Sequence, residues 1–419
     1  MFNMSSMFQE LKRKRKGKIW ELFRATDFES FMYPCFIFCR ILGIFPYKIN
    51  ASTIKTCKPR YILSTISIGV FCILGLIHLY DINFSTSKRS LHEDIETSTK
   101  LQQNCFSIIG VFMAVTAFVL SGPRMRFLQT LLELSLKLPS ESYQKLSSLI
   151  HVKDILGFFF LVVEFLIIVI KLQEMADVWQ TSFLIYNWLL IFQMDMLYMN
   201  CVCILKACFK QINDNLVNLR KVVTNGEPYL LSGTYHEQRI SFLLMEIIAL
   251  KKQHLAISDA VQMLKMVFSL HLLSTILMTF TQIIFHLYFY LMQIYLGLYL
   301  SNEERQILRK ACIGLVTYYS IKLVLIVWAC ETGKNQAMEI SSTVHDVFNS
   351  ASNKQIKYEM RLFSLQISHC ENTFSAKGLT VDATLLTEIA GAIITYVLIL
   401  IQFLFISSSC GGKTLKDTL

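Results

Sequence analysis

The stretch Thr395-Tyr-Val-Leu-Ile-Leu-Ile-Gln-Phe403 is apolar except for a threonine at one end and a glutamine near the other. It sits inside a longer apolar run, 384–408. About 20 such residues at 1.5 Å each cross a hydrocarbon layer as one helix. Working outward, six more runs of this kind precede it, at roughly 60–82, 104–122, 155–172, 182–205, 266–299 and 311–330. The composition agrees: 53% of the chain is hydrophobic and only 17% charged, against about 25% charged in a typical soluble protein. Six prolines and 16 glycines leave little material for long linkers. The chain therefore reads as an all-α polytopic membrane protein with seven transmembrane helices. That reading excludes a soluble enzyme, a disulfide scaffold and, despite a net charge of +10, a nucleic-acid-binding domain.

Orientation follows from where Lys and Arg fall, because cytoplasmic loops carry the excess. With the N-terminus inside, the inner segments hold 30 and the outer segments 9, with Lys322 left within the sixth span. This predicts a cytosolic N-terminus and an extracellular C-terminus. The basic run Lys12–Lys16 has no apolar core directly behind it, so it suits anionic inner-leaflet lipid rather than a cleaved signal peptide. Phe31–Phe45 is apolar but short and is broken by Pro34 and Arg40, which suggests an interfacial or re-entrant helix. Asn83-Phe-Ser85 is a candidate glycosylation sequon in the first outer loop. Cys201, Cys203 and Cys208 lie in or beside an apolar run. They read as buried thiols, with palmitoylation as the alternative.

The inner loops carry their own helical pattern. Ile240, Leu243, Leu244, Ile247 and Ile248 follow three-four spacing, as do Ala337, Ile340, Val344, Val347 and Phe348. Spans continuing below the membrane and packing together would produce this; helices lying on the lipid surface are the alternative. The expected organisation is a cytosolic N-terminal region with the interfacial helix (1–59) and a six-helix ligand-binding bundle (60–330). The bundle includes cytosolic helices at about 206–265. Anchor helices (331–383), a seventh helix (384–408) and a short extracellular tail (409–419) follow.

Seven spans alone do not name a function. A G-protein-coupled receptor places its N-terminus outside. Here the third span ends in Lys171-Leu-Gln-Glu174 with no Asp-Arg-Tyr, and the last span has no Asn-Pro-x-x-Tyr. There is no His-Glu-x-x-His, no Gly-x-Ser-x-Gly and no Walker loop, so neither an enzyme nor a metal or cofactor site is indicated.

The terminal span is more informative. Thr395-Tyr396, five apolar residues and Gln402-Phe403 form a motif that resembles the signature of insect gustatory receptors. Four fixed residues at fixed spacing arise by chance on the order of once in a thousand chains of this length. The approach, Phe374-Ser-Ala-Lys-Gly378-Leu-Thr-Val-Asp382 with Leu385, Leu386 and Gly391, is similar to the family too. The resemblance implies a plasma-membrane protein of sensory neurons. It would be a homotetrameric, tastant-gated, non-selective cation channel whose seventh helices line a central pore. The family's gate maps onto Gln402 and Phe403, with Thr395 and Tyr396 completing the motif. Expected partners are a small tastant (a sugar, bitter compound or amino acid), membrane lipid and, for a heteromer, other gustatory receptors. A metabotropic or accessory, non-conducting subunit is the alternative. On the residues themselves, Thr395, Ile399, Gln402 and Ile406 recur at helical spacing. Repeated around an axis, such an apolar stripe with one amide makes a dewetting constriction. A plain interhelical hydrogen bond from Gln402 is the competing account.

Ionisable residues inside spans are costly and mark a site or a pair. Glu164, Lys171, Asp195 and Lys322 are the four such positions, with Lys171 near the rim. At similar depths come Tyr186, Asn187 and Trp188, then Gln282 and His286, then Tyr318 and Tyr319. Together with Glu164, Asp195 and Lys322 they form the candidate ligand pocket, aromatic walls with few polar groups. A structural Lys322–Asp195 or Lys322–Glu164 pair, with aromatics as core, is the alternative.

Overall fold

The structure, a computed structural model, describes residues 25, 27–50, 53–84, 93–172, 178–224, 233–296 and 302–414. Lys12–Lys16, Ser85 and Glu174 lie outside these residues. The elements in chain order are α1 (Phe28–Ile41), β1 (Tyr47–Asn50), β2 (Thr53–Thr56), α2 (Lys58–Phe84), α3 (Glu93–Val119) and α4 (Ser121–Ser135). They continue with α5 (Ser140–Leu172), α6 (Val178–Thr224), α7 (Gly233–Leu296), α8 (Asn302–Ser350) and α9 (Lys354–His369). Last come β3 (Ser375–Ala376), β4 (Leu379–Thr380) and α10 (Ala383–Thr414).

Among the described residues, seven helices are long and apolar enough to cross a membrane: α2, α3, α5, α6, α7, α8 and α10. Each predicted run coincides with one of them, although the second, 104–122, runs past the end of α3 into α4, and most of the helices extend well beyond their run. The 47, 64 and 49 residues of α6, α7 and α8 exceed what a bilayer needs. Their surplus turns form a helical anchor with α9. Leu243, Ile247, Ile340, Val344 and Val347 are buried there in one continuous core with Met360 and Phe363 of α9. The amphipathic stripes thus face one another. Polar ties fix the register: Thr343 donates to Asn213 at 2.6 Å, Lys251 pairs with Glu359 at 2.7 Å, and Arg220 pairs with Asp346 at 2.7 Å. Cys201, Cys203 and Cys208 are buried in the α6 packing, as the first of the two readings expects.

The spans are not enclosed equally. The apolar window of α6 is 89% buried, whereas those of α5 and α10 are 22% and 17% buried. α6 is the axis of the bundle, and α10 is applied to the bundle's outside against α7 and α8.

α1 enters between α5 and α6. Its N-terminus is capped by Asp27, whose carboxylate accepts from the Ser30 backbone at 2.7 Å. Phe31 packs on Tyr143 and His151 of α5, Gln193 of α6 donates to the Cys35 carbonyl at 3.1 Å, and Tyr186 donates to the Leu42 carbonyl at 2.6 Å. Gly43 then turns the chain back at φ 69°, held by Ser64.

Among the described residues, two short hairpins interrupt the all-α pattern. In the second, β3 and β4 are joined by Lys377 and Gly378, at φ 51° and 93°. Positive φ at both positions is the twist a two-residue hairpin loop needs. Phe374, at the hairpin's start, is buried against Gly333 of α8, where a Cβ would approach its ring to 2.9 Å.

Candidate functional site

A chain of polar and aromatic side chains crosses the bundle from α3 to α6. At one end, Gln102 of α3 donates to Gln282 of α7 at 2.9 Å and lies 3.5 Å from the His286 ring. His286 stacks on Tyr319 of α8 with centroids 6.4 Å apart and planes at 21°. Tyr319 meets Tyr318 edge-on at 5.2 Å. Lys322, one turn further, holds its ammonium 5.3 Å from the Tyr319 centroid and 5.9 Å from that of Tyr318.

The chain ends on Asp195, which is 1% exposed. One carboxylate oxygen accepts from the Thr275 hydroxyl at 2.8 Å and meets His271 Nε2 at 2.9 Å. The other oxygen is 3.3 Å from Lys322 Nζ. Four side chains from α6, α7 and α8 thus meet where hydrocarbon surrounds the bundle, and the opposite charges of Asp195 and Lys322 pair there, as charges within spans generally do.

Trp188 flanks this chain, edge-on to Phe106 at 6.2 Å. With Leu161, Leu315, Tyr318 and Tyr319 it closes around a cavity of only about 10 Å³. Phe160 stacks on the outer face of Tyr318 at 6.0 Å. Beside it, Lys322 and Lys153 line a larger cavity of about 340 Å³ between α5, α6 and α8.

Seven of the sequence-predicted pocket residues therefore come together: Asp195, Trp188, Gln282, His286, Tyr318, Tyr319 and Lys322. Two do not join them. Tyr186 turns toward α1 and meets Phe71 at a tilt, with centroids 4.8 Å apart. Asn187 packs onto Gly110, where a Cβ would come within 2.1 Å of its amide. Glu164 and Lys171 lie on α5, with side chains outside the described set. Asn83 closes α2, its amide paired reciprocally with Asn104 at 3.0 Å.

Sequence reading missed Gln102, Phe106, His271 and Thr275. Gln102 and His271 carried a usable signal, since each is a polar residue on an apolar helix. Gln102 falls just before the predicted second run, and His271 lies within the fifth, about four turns from His286 on the same helix.

α10 presents two faces. Leu385, Ile389 and Val397 are buried, Tyr396 meets Phe280 edge-on at 5.8 Å, and Leu400 packs beside Tyr288 and Met292. Thr395, Ile399, Gln402 and Ile406 are all exposed and lie on the opposite side, with Phe403 next to them at 66% exposure. Among the described residues no group of His, Cys, Asp and Glu is arranged to hold a metal ion.

Seven membrane-crossing helices packed around a buried polar cluster define a multi-pass membrane protein. Residues 32–405 match the 7tm chemosensory receptor family, and the chain belongs to it, with the insect gustatory receptors. It is 31% identical over 158 residues to gustatory receptor 28b of Drosophila melanogaster, an alignment covering 36% of this chain and 32% of that protein. It is 34% identical over 89 residues to gustatory receptor 28a of the same fly, covering 21% and 20%. The alignments thus span a third or less of either fly relative. Two structures of the olfactory receptor OR5 from the insect Machilis hrabei, one in complex with eugenol, superimpose with a TM-score of 0.65. They cover 90% of this chain and 98% of that one at 12% and 11% identity, a likeness of fold.

Proposed function

We propose that the protein is a tastant-gated, non-selective cation channel of the plasma membrane of chemosensory neurons, assembled as a tetramer around α10. The observation that carries this reading is the enclosure of α10, 17% against 89% for α6. A terminal span whose own chain covers one face, and whose other face bears Thr395, Ile399, Gln402 and Ile406, is built to meet copies of itself and a pore. The apolar members of that stripe would exclude water when close together, and Gln402 would hydrate a cation when they part.

The tastant site under this reading is the cluster of Trp188, Gln282, His286, Tyr318 and Tyr319. Its cavity admits no more than a water. Ligand therefore enters by parting Trp188 from the two tyrosines. Lys322 moves with them, since it shares a helical turn with Tyr318 and Tyr319. The Lys322–Asp195 link passes that motion to α6 and α7, and α10 rests on α7. The fold's likeness to a receptor solved with eugenol supports a small-molecule ligand in such a bundle.

Recording from cells expressing this chain alone, with G-protein signalling blocked, tests the channel. Gln402→Ala or Phe403→Ala at normal surface expression is expected to change basal or evoked conductance several-fold. Unaltered currents in both variants, or responses abolished by the signalling block, would reject it.

A further inference from the structure

A third cavity, of about 470 Å³, lies between α1, α5 and α6; it shares Phe192 and Met196 with the cavity beside Lys322, but none of the polar cluster's own residues lines it. Its size falls in the range of small-molecule sites. Pro34 and Phe38 of α1, Ile155 and Phe158 of α5 and Phe192 of α6 form its walls. Phe38 and Ile155 at its mouth are 41% and 56% exposed. On a membrane-spanning bundle that surface faces hydrocarbon, so the cavity opens sideways into the bilayer.

Three polar side chains, Gln193, Asp154 and His151, interrupt the apolar lining. Gln193, 5% exposed, gives its amide nitrogen to the Cys35 carbonyl at 3.1 Å. A carbonyl only accepts, which fixes the orientation of the amide. The Gln193 Oε1 is then an acceptor on the cavity wall with no donor from any described residue. The other polar side chains there are engaged: Asp154 is held by Lys153 and by Asn200 at 3.1 Å, and His151 packs on Phe31. An acceptor facing an apolar cavity without a donor forgoes a hydrogen bond that a ligand hydroxyl would supply. An apolar cavity left without atoms forfeits dispersion contacts along its walls.

We propose that this cleft is a binding site for compact, bilayer-dissolved apolar molecules bearing one hydroxyl, with Gln193 Oε1 accepting from that hydroxyl. The site is reached from lipid rather than from water. Filling it props α1 against α5, the least enclosed span after α10.

The test is photolabelling of the full-length protein in lipid nanodiscs with azi-octanol, a photoreactive linear alcohol, followed by peptide mass spectrometry. Adducts should concentrate in 34–42, 151–158 and 189–196 and be displaced by excess octanol but not by octane. Gln193→Met, which keeps the volume and removes the acceptor, should lower labelling about five-fold, the worth of one neutral hydrogen bond. Ile41→Trp, at a cavity-lining position 74% exposed at the surface, should lower it without disturbing the core. It decides the matter if Gln193→Met fails to fold. Adducts spread evenly over the lipid-facing surface, equal displacement by octane, or undiminished labelling in Ile41→Trp would overturn the proposal.

Discussion

Asp195 and Lys322 are unequal partners. Removing the lysine leaves Asp195 with the Thr275 hydroxyl and His271. Removing the carboxylate leaves Lys322 with only two tyrosine faces, and a desolvated cation–π contact offers about 2 kcal/mol. An uncompensated buried charge costs about 3–5 kcal/mol. Asp195→Asn should therefore lower the thermal unfolding temperature of the purified protein more than Lys322→Met does. The double variant should fall short of the sum of the two. Additive losses would show that the pair is not coupled. At this scale the sequence was half legible. The unusual lysine and its aspartate stand out because charges are rare in spans, and their similar depth makes the contact expected. Whether Asp195 or Glu164 would be the partner depends on helix rotation, which periodicity fixes only loosely. The same uncertainty put Tyr186 and Asn187 in the predicted pocket although they point toward α1 and α3.

At the scale of elements, length and hydropathy were enough to find all seven spans, because lipid permits only one solution for the backbone of each apolar run. The hairpin before α10 is legible in the sequence only through its family resemblance, since strands of two residues have no period to detect. Its turn nonetheless carries a physical signature. Gly378 adopts a positive φ at no steric cost, while Lys377 at φ 51° pays for its Cβ. Lys377→Asn should relieve that strain, because Asn tolerates the left-handed region. The expected gain is about 0.5 kcal/mol, read as a small rise in unfolding temperature with the ligand response retained. A loss of stability would mean that the lysine side chain contributes something its surroundings do not reveal. Asp382 follows the hairpin and accepts from Thr384 at the start of α10. The turn therefore sets where the last span begins.

At the scale of the whole molecule, α10 keeps one face uncovered by its own chain. A span with Ile394, Leu398, Ile399, Phe403 and Ile406 all exposed could be satisfied by lipid alone. Lipid, however, gives no reason for a threonine and a glutamine to share a stripe with two isoleucines. Four copies around an axis supply one, and they also make a geometric demand: stripe positions on neighbouring subunits must approach, whereas Val397, buried against the subunit's own helices, must not. With Cys410 replaced by serine, Ile399→Cys should form a ladder of oxidative cross-links in native membranes that ends at the tetramer. Val397→Cys in the same background should give none. A ladder from Val397, a ladder ending at two, or no ladder from Ile399 with free thiols still reactive would place the stripe elsewhere than at a fourfold axis. The pore reading would then fall, while the bundle, its family and the Asp195–Lys322 core would stand, because none of them depends on what α10 faces.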